Sequence, residues 1–141
     1  MKKRVLSLLI IVCMLFALTT AASARASAYL DGYRLSPTAL GNGEIELYVR
    51  IEAVYTVDRV GIMALQIEER YSPTSSWHLY DTILGSEDPD TYYFYDFPIY
   101  TGTFTFDLTP GYDYRFIVTA YAGDSTGFDT GVVSTIPITC E

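Results

Sequence analysis

The segment Phe104 to Ala122, FTFDLTPGYDYRFIVTAYA, decides how the chain is read. Phe104, Phe106 and Leu108 recur at every second position, and so do Tyr114, Phe116, Val118 and Ala120. Successive side chains of an extended strand point to opposite sides, so each set lines one face and is expected to face a core. Thr109-Pro110-Gly111 between them is turn chemistry: proline presets φ and glycine accepts a backbone that other residues resist. Working outward, Glu44 to Val54 alternates strictly, with Ile45, Leu47, Val49, Ile51 and Ala53 on one face. Glu44, Glu46, Tyr48, Arg50 and Glu52 take the other, the pattern of a half-buried antiparallel strand. Gly61 to Glu69 continues it, with Met63, Leu65 and Ile67 expected inward, and ends at the turn-rich Ser72-Pro73-Thr74-Ser75-Ser76. Further strands are expected at Tyr29 to Leu35, Trp77 to Leu84, Thr103 to Leu108, Tyr112 to Ala122 and Thr130 to Ile138. Neither sustained helical periodicity nor an internal repeat is present. Short strands separated by turns predict an all-β protein: a single antiparallel β-sandwich of about seven strands.

The quoted segment also resembles the tyrosine-corner stretch of the fibronectin type III module. There a leucine, a proline-glycine turn and a tyrosine three residues later precede alternating apolar residues, and Leu108, Pro110, Gly111 and Tyr114 match position by position. The resemblance implies a fibronectin III- or immunoglobulin-like sandwich in which the Tyr114 hydroxyl bonds to backbone just upstream, a structural role. It covers about twenty residues. The strand EIELYVRIEAV lacks the tryptophan that such modules usually bury, and the paired cysteines of antibody domains are absent. In overall layout the chain is similar to small secreted proteins of Gram-positive bacteria with no assigned function.

The chain of 141 residues opens with Lys2, Lys3 and Arg4, then the apolar run Val5 to Leu18 and small residues up to Ala28. That order predicts a signal peptide over residues 1–28 and a single domain over 29–141, secreted and extracellular. The apolar run is shorter than the roughly twenty residues of a spanning helix. Cleavage is expected after Ala22-Ser23-Ala24 or after Ala26-Ser27-Ala28, the second being preferred because strand-like sequence starts at Tyr29. Cys13 would leave with the leader. What remains carries five arginines, no lysine and all seventeen acidic residues, a net charge of about −12. Such a balance repels phosphate backbones and anionic headgroups, so nucleic acid and membrane are not expected partners. Cys140, left alone near the end of the chain, is expected to be an exposed thiol in a mobile tail, or an intermolecular disulfide joining a homodimer.

Catalytic chemistry has little to draw on. His78 is the only histidine, expected outward beside a core-facing Trp77, so no triad, Cys-His couple or zinc set is indicated. No enzyme is expected; a hydrolase using paired acids is the least favoured alternative. No cofactor is expected either, although Glu87, Asp88 and Asp90 form a candidate calcium cluster. Recognition is expected instead at the run Asp90 to Tyr100, DTYYFYDFPIY, which holds six rings in eleven residues, and at Phe128 in the loop Ala122 to Asp129. The run is expected to cross between sheets. If extended, Tyr93, Tyr95, Phe97 and Ile99 face one way and Tyr92, Phe94, Pro98 and Tyr100 the other. One core cannot take both sets, so Tyr92, Tyr93, Tyr95, Tyr100 and Phe128 are the candidate contacts for an extracellular protein or glycan. A structural, self-associating protein is the alternative.

Overall fold

The computed structural model describes residues 27–141; the leader and Cys13 fall among residues 1–26, outside the described residues. Seven strands follow in order: β1 (Leu30–Gly41), β2 (Glu44–Arg70), β3 (His78–Leu84), β4 (Tyr93–Asp107), β5 (Asp113–Asp124), β6 (Gly127–Ser134) and β7 (Ile138–Thr139). All pair antiparallel in one sheet that curls into a half-barrel. Two short helical turns, Gly85–Glu87 and Pro89–Tyr92, link β3 to β4. None of the described helices is long and apolar enough to cross a membrane.

β2 organises everything else. Two separate strands were expected from its sequence, yet 27 residues run without a break. The reason is local: Val54-Tyr55-Thr56-Val57 offers β-branched and aromatic residues and no turn chemistry, so nothing ends the strand. Its first half pairs with β1 on one side and with the second half of β4 on the other. Its second half pairs with β3 and β5, and β6 adds to β5. One continuous curled sheet thus stands where two separate sheets were expected.

The two halves of β2 bring their apolar faces together. Ile45, Leu47, Val49 and Ile51 from the first half meet Leu65 and Ile67 from the second, with Tyr114, Phe116, Val118, Ala120 and Ala122 of β5. Each of the larger side chains contributes about 1.5–3 kcal/mol on leaving water, and each alanine less. The alternation read from the sequence holds in these stretches and fails at Met63. There the β2–β5 register shifts between Ile62 and Ala64, so Met63 is exposed and Ile62 takes the inward place.

Tyr114 sits at the corner as the resemblance implied. Its hydroxyl accepts the Thr109 N–H at 3.0 Å and donates to Glu69 at 3.2 Å. The tight β1–β2 turn packs beside it, where Leu108 N–H donates to the Gly43 carbonyl at 2.7 Å. A Cβ on Gly43 would lie 2.9 Å from the Leu108 oxygen, so only glycine admits this approach.

Three expectations change here. Cys140 is no exposed tail thiol. It is buried, with its N–H donating to Tyr112 O and its carbonyl accepting Gly111 N–H, both at 2.9 Å. Burial pushes its thiol above the usual range, and a disulfide to a second copy would require this end to peel away from the corner. The last expected strand divides into β6 and β7 because Thr135 ends the ladder: its Oγ1 accepts Phe116 N–H at 3.1 Å, and Pro137 follows with no N–H to give. Trp77 is not core-facing; its ring packs against the guanidinium groups of Arg70 and Arg115, 4.5 Å from each. Those arginines are fixed by Asp113 and Glu68, making a half-buried platform for the indole.

Ser27, just ahead of Tyr29, is tied to the sheet as well. Ser27 Oγ accepts Leu30 N–H at 2.8 Å and donates to Asp129 at 2.6 Å.

Candidate binding face around Arg59

At residues 59–61, β2 is flanked by β4 on one side and β5 on the other. Gly61 stands opposite both Tyr93 and Tyr121, and Arg59 opposite both Tyr95 and Gly123. Directly paired residues of an antiparallel ladder share a face. Ala120 and Ala122 point to the core, so Tyr121 and Gly123, with Arg59, Tyr93 and Tyr95, belong to the face turned away from it. Phe128 of β6, opposite Gly123, joins them.

Glycine makes the cluster possible. A Cβ on Gly61 would stand 2.1 Å from the Tyr92 carbonyl oxygen, and one on Gly123 would stand 2.5 Å from Phe128 Cβ. Over these two bare positions the rings converge. Tyr93 meets Tyr121 edge-on at 6.1 Å, and Phe128 stacks on Tyr121 at 5.5 Å. The Arg59 guanidinium lies over both tyrosines, 4.6 Å from the Tyr93 ring centre and 4.5 Å from that of Tyr121.

Burial disfavours the charge of Arg59, but the hydroxyl of Tyr121 and the fields of Tyr121, Tyr93 and Tyr95 outweigh it, leaving its pKa above the ordinary value. Burial raises the Tyr93 phenol, with Arg59 working in the opposite direction. Arg59 Nε is buried and has no hydrogen-bond partner. Arg50, Arg70 and Arg115 each pair with a carboxylate; Arg59 has aromatic neighbours instead.

Two open concavities adjoin this centre. One of about 490 Å³ is lined by Arg59, Met63, Ala64, Leu84, Ser86, Tyr93, Tyr121 and Phe128. Another of about 450 Å³ is bounded by Asp90, Tyr93, Phe94, Tyr95 and Phe97 along the free edge of β4. Phe128, 62% exposed, and Phe97, 57% exposed, mark the two ends of a surface with apolar rings facing water.

The candidates named from sequence separate. Tyr95 and Phe128 are exposed on this surface. Tyr93 is on it but only 5% accessible, closed over by Arg59 and by the turn at Gly85, where a Cβ would come within 3.1 Å of its ring. Tyr100 is fully buried in the core, with its hydroxyl donating to the Thr91 carbonyl at 3.0 Å, so it offers no ligand contact. Tyr92 lies in the helical turn, stacked on Phe104 at 5.3 Å against the core, and is likewise committed inward. The run itself is not a crossing loop: from Tyr93 on it is the first half of β4.

Glu87, Asp88 and Asp90 are exposed on two successive helical turns. Consecutive residues of such turns radiate in different directions, and among the described residues no three His, Cys, Asp or Glu side chains gather as a metal site. His78 is exposed. The residues that sequence reading missed are Arg59 and Tyr121. Their partners stand tens of residues away, and strand register alone brings them together.

The fold and this surface define an all-β protein with an aromatic face centred on one arginine. No protein-family model and no curated protein matches the chain. Among solved structures it is similar to the sporulation control protein Spo0M from Bacillus subtilis, with a TM-score of 0.43 and 14% identity. That match covers 82% of this chain and 49% of Spo0M, so the chain spans about half of Spo0M's length. It is also similar to a protein from Archaeoglobus fulgidus, with a TM-score of 0.36 and 8% identity over 79% of this chain and 98% of that one.

Proposed function

We propose that this is a secreted, non-catalytic binding module that recognises a polypeptide or glycan through the face around Arg59. The observation that carries this reading is the convergence of Tyr93 and Tyr121 on one guanidinium, with Phe128 stacked on Tyr121, two concavities beside it and exposed rings at both ends. Large exposed apolar groups gathered in one place mark interaction surfaces. A triple variant, Tyr95→Ala, Phe97→Ala and Phe128→Ala, tests it on glycan arrays and displayed peptide libraries. The reading requires wild type to bind and the variant to lose binding while keeping its circular dichroism. Equal behaviour of the two proteins would refute it.

The second reading is self-association, favoured by the same exposed rings. Sedimentation velocity over a hundredfold concentration range decides: a monomer throughout removes it. Since Cys140 is buried, added reductant should leave the distribution unchanged.

For secretion, the leader reading combines with the bonds of Ser27 to favour removal after Ala24, which keeps Ser27 on the folded domain. Mass spectrometry of the exported protein tests this, with Arg25 as the expected first residue. A start at Tyr29 contradicts the site, and an intact Met1 contradicts the leader. The fibronectin III- or immunoglobulin-like sandwich is retained as a proposal for the ancestry of the curled sheet, supported by the bond between Tyr114 and Thr109 at its corner.

A further inference from the structure

We infer that the face around Arg59 is a receptor for a carboxylate carried next to an apolar side chain on a polypeptide. This deepens the binding reading above and rests on it. A guanidinium has five N–H donors in its plane and a π system above and below. The rings of Tyr93 and Tyr121, perpendicular to each other and 6.1 Å apart, lie against the Arg59 guanidinium on two adjoining sides. What remains are N–H donors that no carboxylate of the described residues takes up, and the group that matches them is a planar oxyanion, which accepts two parallel N–H bonds.

Folding has left those donors without an acid. In a chain with seventeen acidic residues against nine basic ones, three of the described arginines hold a carboxylate, and Arg59 holds none although it is partly withdrawn from water. Its Nε is enclosed without a partner, so a ligand is met by the terminal nitrogens of the guanidinium. Tyrosine faces keep the charge in place without neutralising it, so the guanidinium is oriented before a ligand arrives and little ordering remains to be done on binding.

The walls decide between polypeptide and glycan. Around Arg59 the larger concavity presents Met63, Ala64, Leu84 and Phe128, with Ser86 and the tyrosine hydroxyls as the other polar groups. A sugar carries a hydroxyl on most carbons, each of which needs a polar partner once desolvated. Thioether, aliphatic and phenyl walls do not supply them. An apolar side chain followed by aspartate, glutamate or a chain-terminal carboxylate fits both the walls and the charge.

Display of a random peptide library against the full chain tests this, with synthetic copies of enriched peptides measured by titration and a uronate-containing glycan array run beside it. Enriched peptides should pair an acidic residue or free carboxy terminus with an apolar neighbour. Arg59→Gln should weaken them about tenfold or more, the scale of a truncated interface anchor. Arg59→Lys should recover part of the loss, and replacing the peptide's acid by its amide should cost the wild type as much as Arg59→Gln does. Since Arg59→Gln also disturbs Tyr93, Met63→Ala and Phe128→Ala on the exposed rim provide a second readout: each should weaken the same peptides at unchanged thermal stability. Peptides that lack an acid and tolerate Arg59→Gln, yet respond to the rim variants, overturn the carboxylate assignment and leave the binding face standing. Binding of uronate glycans alone overturns the choice of polypeptide. No enrichment, or enrichment indifferent to every variant, overturns both the assignment and the binding face.

Discussion

β5 and the first half of β4 are both dense in aromatic residues and both lie against β2, yet they behave differently. In β5 the side chains of Tyr114, Phe116, Val118, Ala120 and Ala122 are all withdrawn from solvent, with no interruption in the alternation. In β4 the order breaks at Asp96, a non-glycine residue with φ of 54°. Beyond it Phe97 no longer follows Tyr95; its ring meets that of Phe94 at 6.4 Å, while Phe94 packs on Tyr100 at 4.9 Å. The opposite stretch of β2 is irregular too, and its pairing with β4 jumps between Glu52 and Val57. An aromatic strand thus becomes core or surface according to whether its two-residue period survives, because one displaced residue moves a side chain to the other face.

Phe116→Ala should have the largest effect on stability, about 3–5 kcal/mol in a denaturant titration, through lost burial and the cavity left behind. Should it cost under 1 kcal/mol, β5 would not be the spine of the core. Gly61→Ala should follow at about 3 kcal/mol, because the new methyl collides with the backbone of β4 rather than with a side chain that can rotate. Heteronuclear NMR should show its shifts concentrated at Tyr92 and Tyr93, and shifts spread evenly over the sheet would count against a local collision. Asp96→Val should cost about 1–2 kcal/mol and Asp96→Gly should be neutral or slightly stabilising, since a left-handed backbone is hard for a β-branched residue and free for glycine. Equal stability of the two variants would mean the strand can be straightened there.

Tyr114→Phe should cost about 1 kcal/mol, the worth of a hydroxyl bonded to Thr109 and Glu69. The same phenols set the alkaline limit. Burial raises Tyr100 and Tyr114 above the ordinary value of 10.0, so the folded protein holds these protons longer than the unfolded chain does. Their contribution is complete below pH 10 and is lost as pH climbs from there toward the folded-state values. Melting temperatures measured from pH 8 to 11.5 should hold level and then fall beyond about 10, more steeply in wild type than in a Tyr100→Phe background. A fall that begins near pH 8 would point to another group. The smallest effect belongs to Phe97→Ala, within about 0.5 kcal/mol, because its ring already faces water.

Where side chains alternate over an unbroken strand, as in Ile45 to Ile51 or Tyr114 to Ala120, sequence alone assigned the buried face, since period two is a local property. The corner at Leu108, Pro110, Gly111 and Tyr114 was legible for the same reason: its turn chemistry is contiguous. Continuity of β2 was not, because Gly61 looks like a strand start until β4 and β5 are seen closing on it from both sides. Nor was the site. Arg59, Tyr93, Tyr121 and Phe128 come from four strands, and their meeting depends on register, which no short window contains. Cys140 illustrates the same limit: a position one residue from the end reads as a tail, yet two backbone bonds to the Gly111–Tyr112 segment draw it into the core.

Tyrosine nitration followed by peptide mass spectrometry addresses the division of β4 most directly, because Tyr93, Tyr95 and Tyr100 are separated by a few residues and differ in exposure. Tyr95 is half accessible, at 50%, and should be modified first, with Tyr93 slow beneath Arg59 and Tyr100 protected until the protein unfolds. Modification of Tyr100 at the rate of Tyr95 in the folded protein would contradict the division of this strand into a surface half and a core half, and with it the binding face.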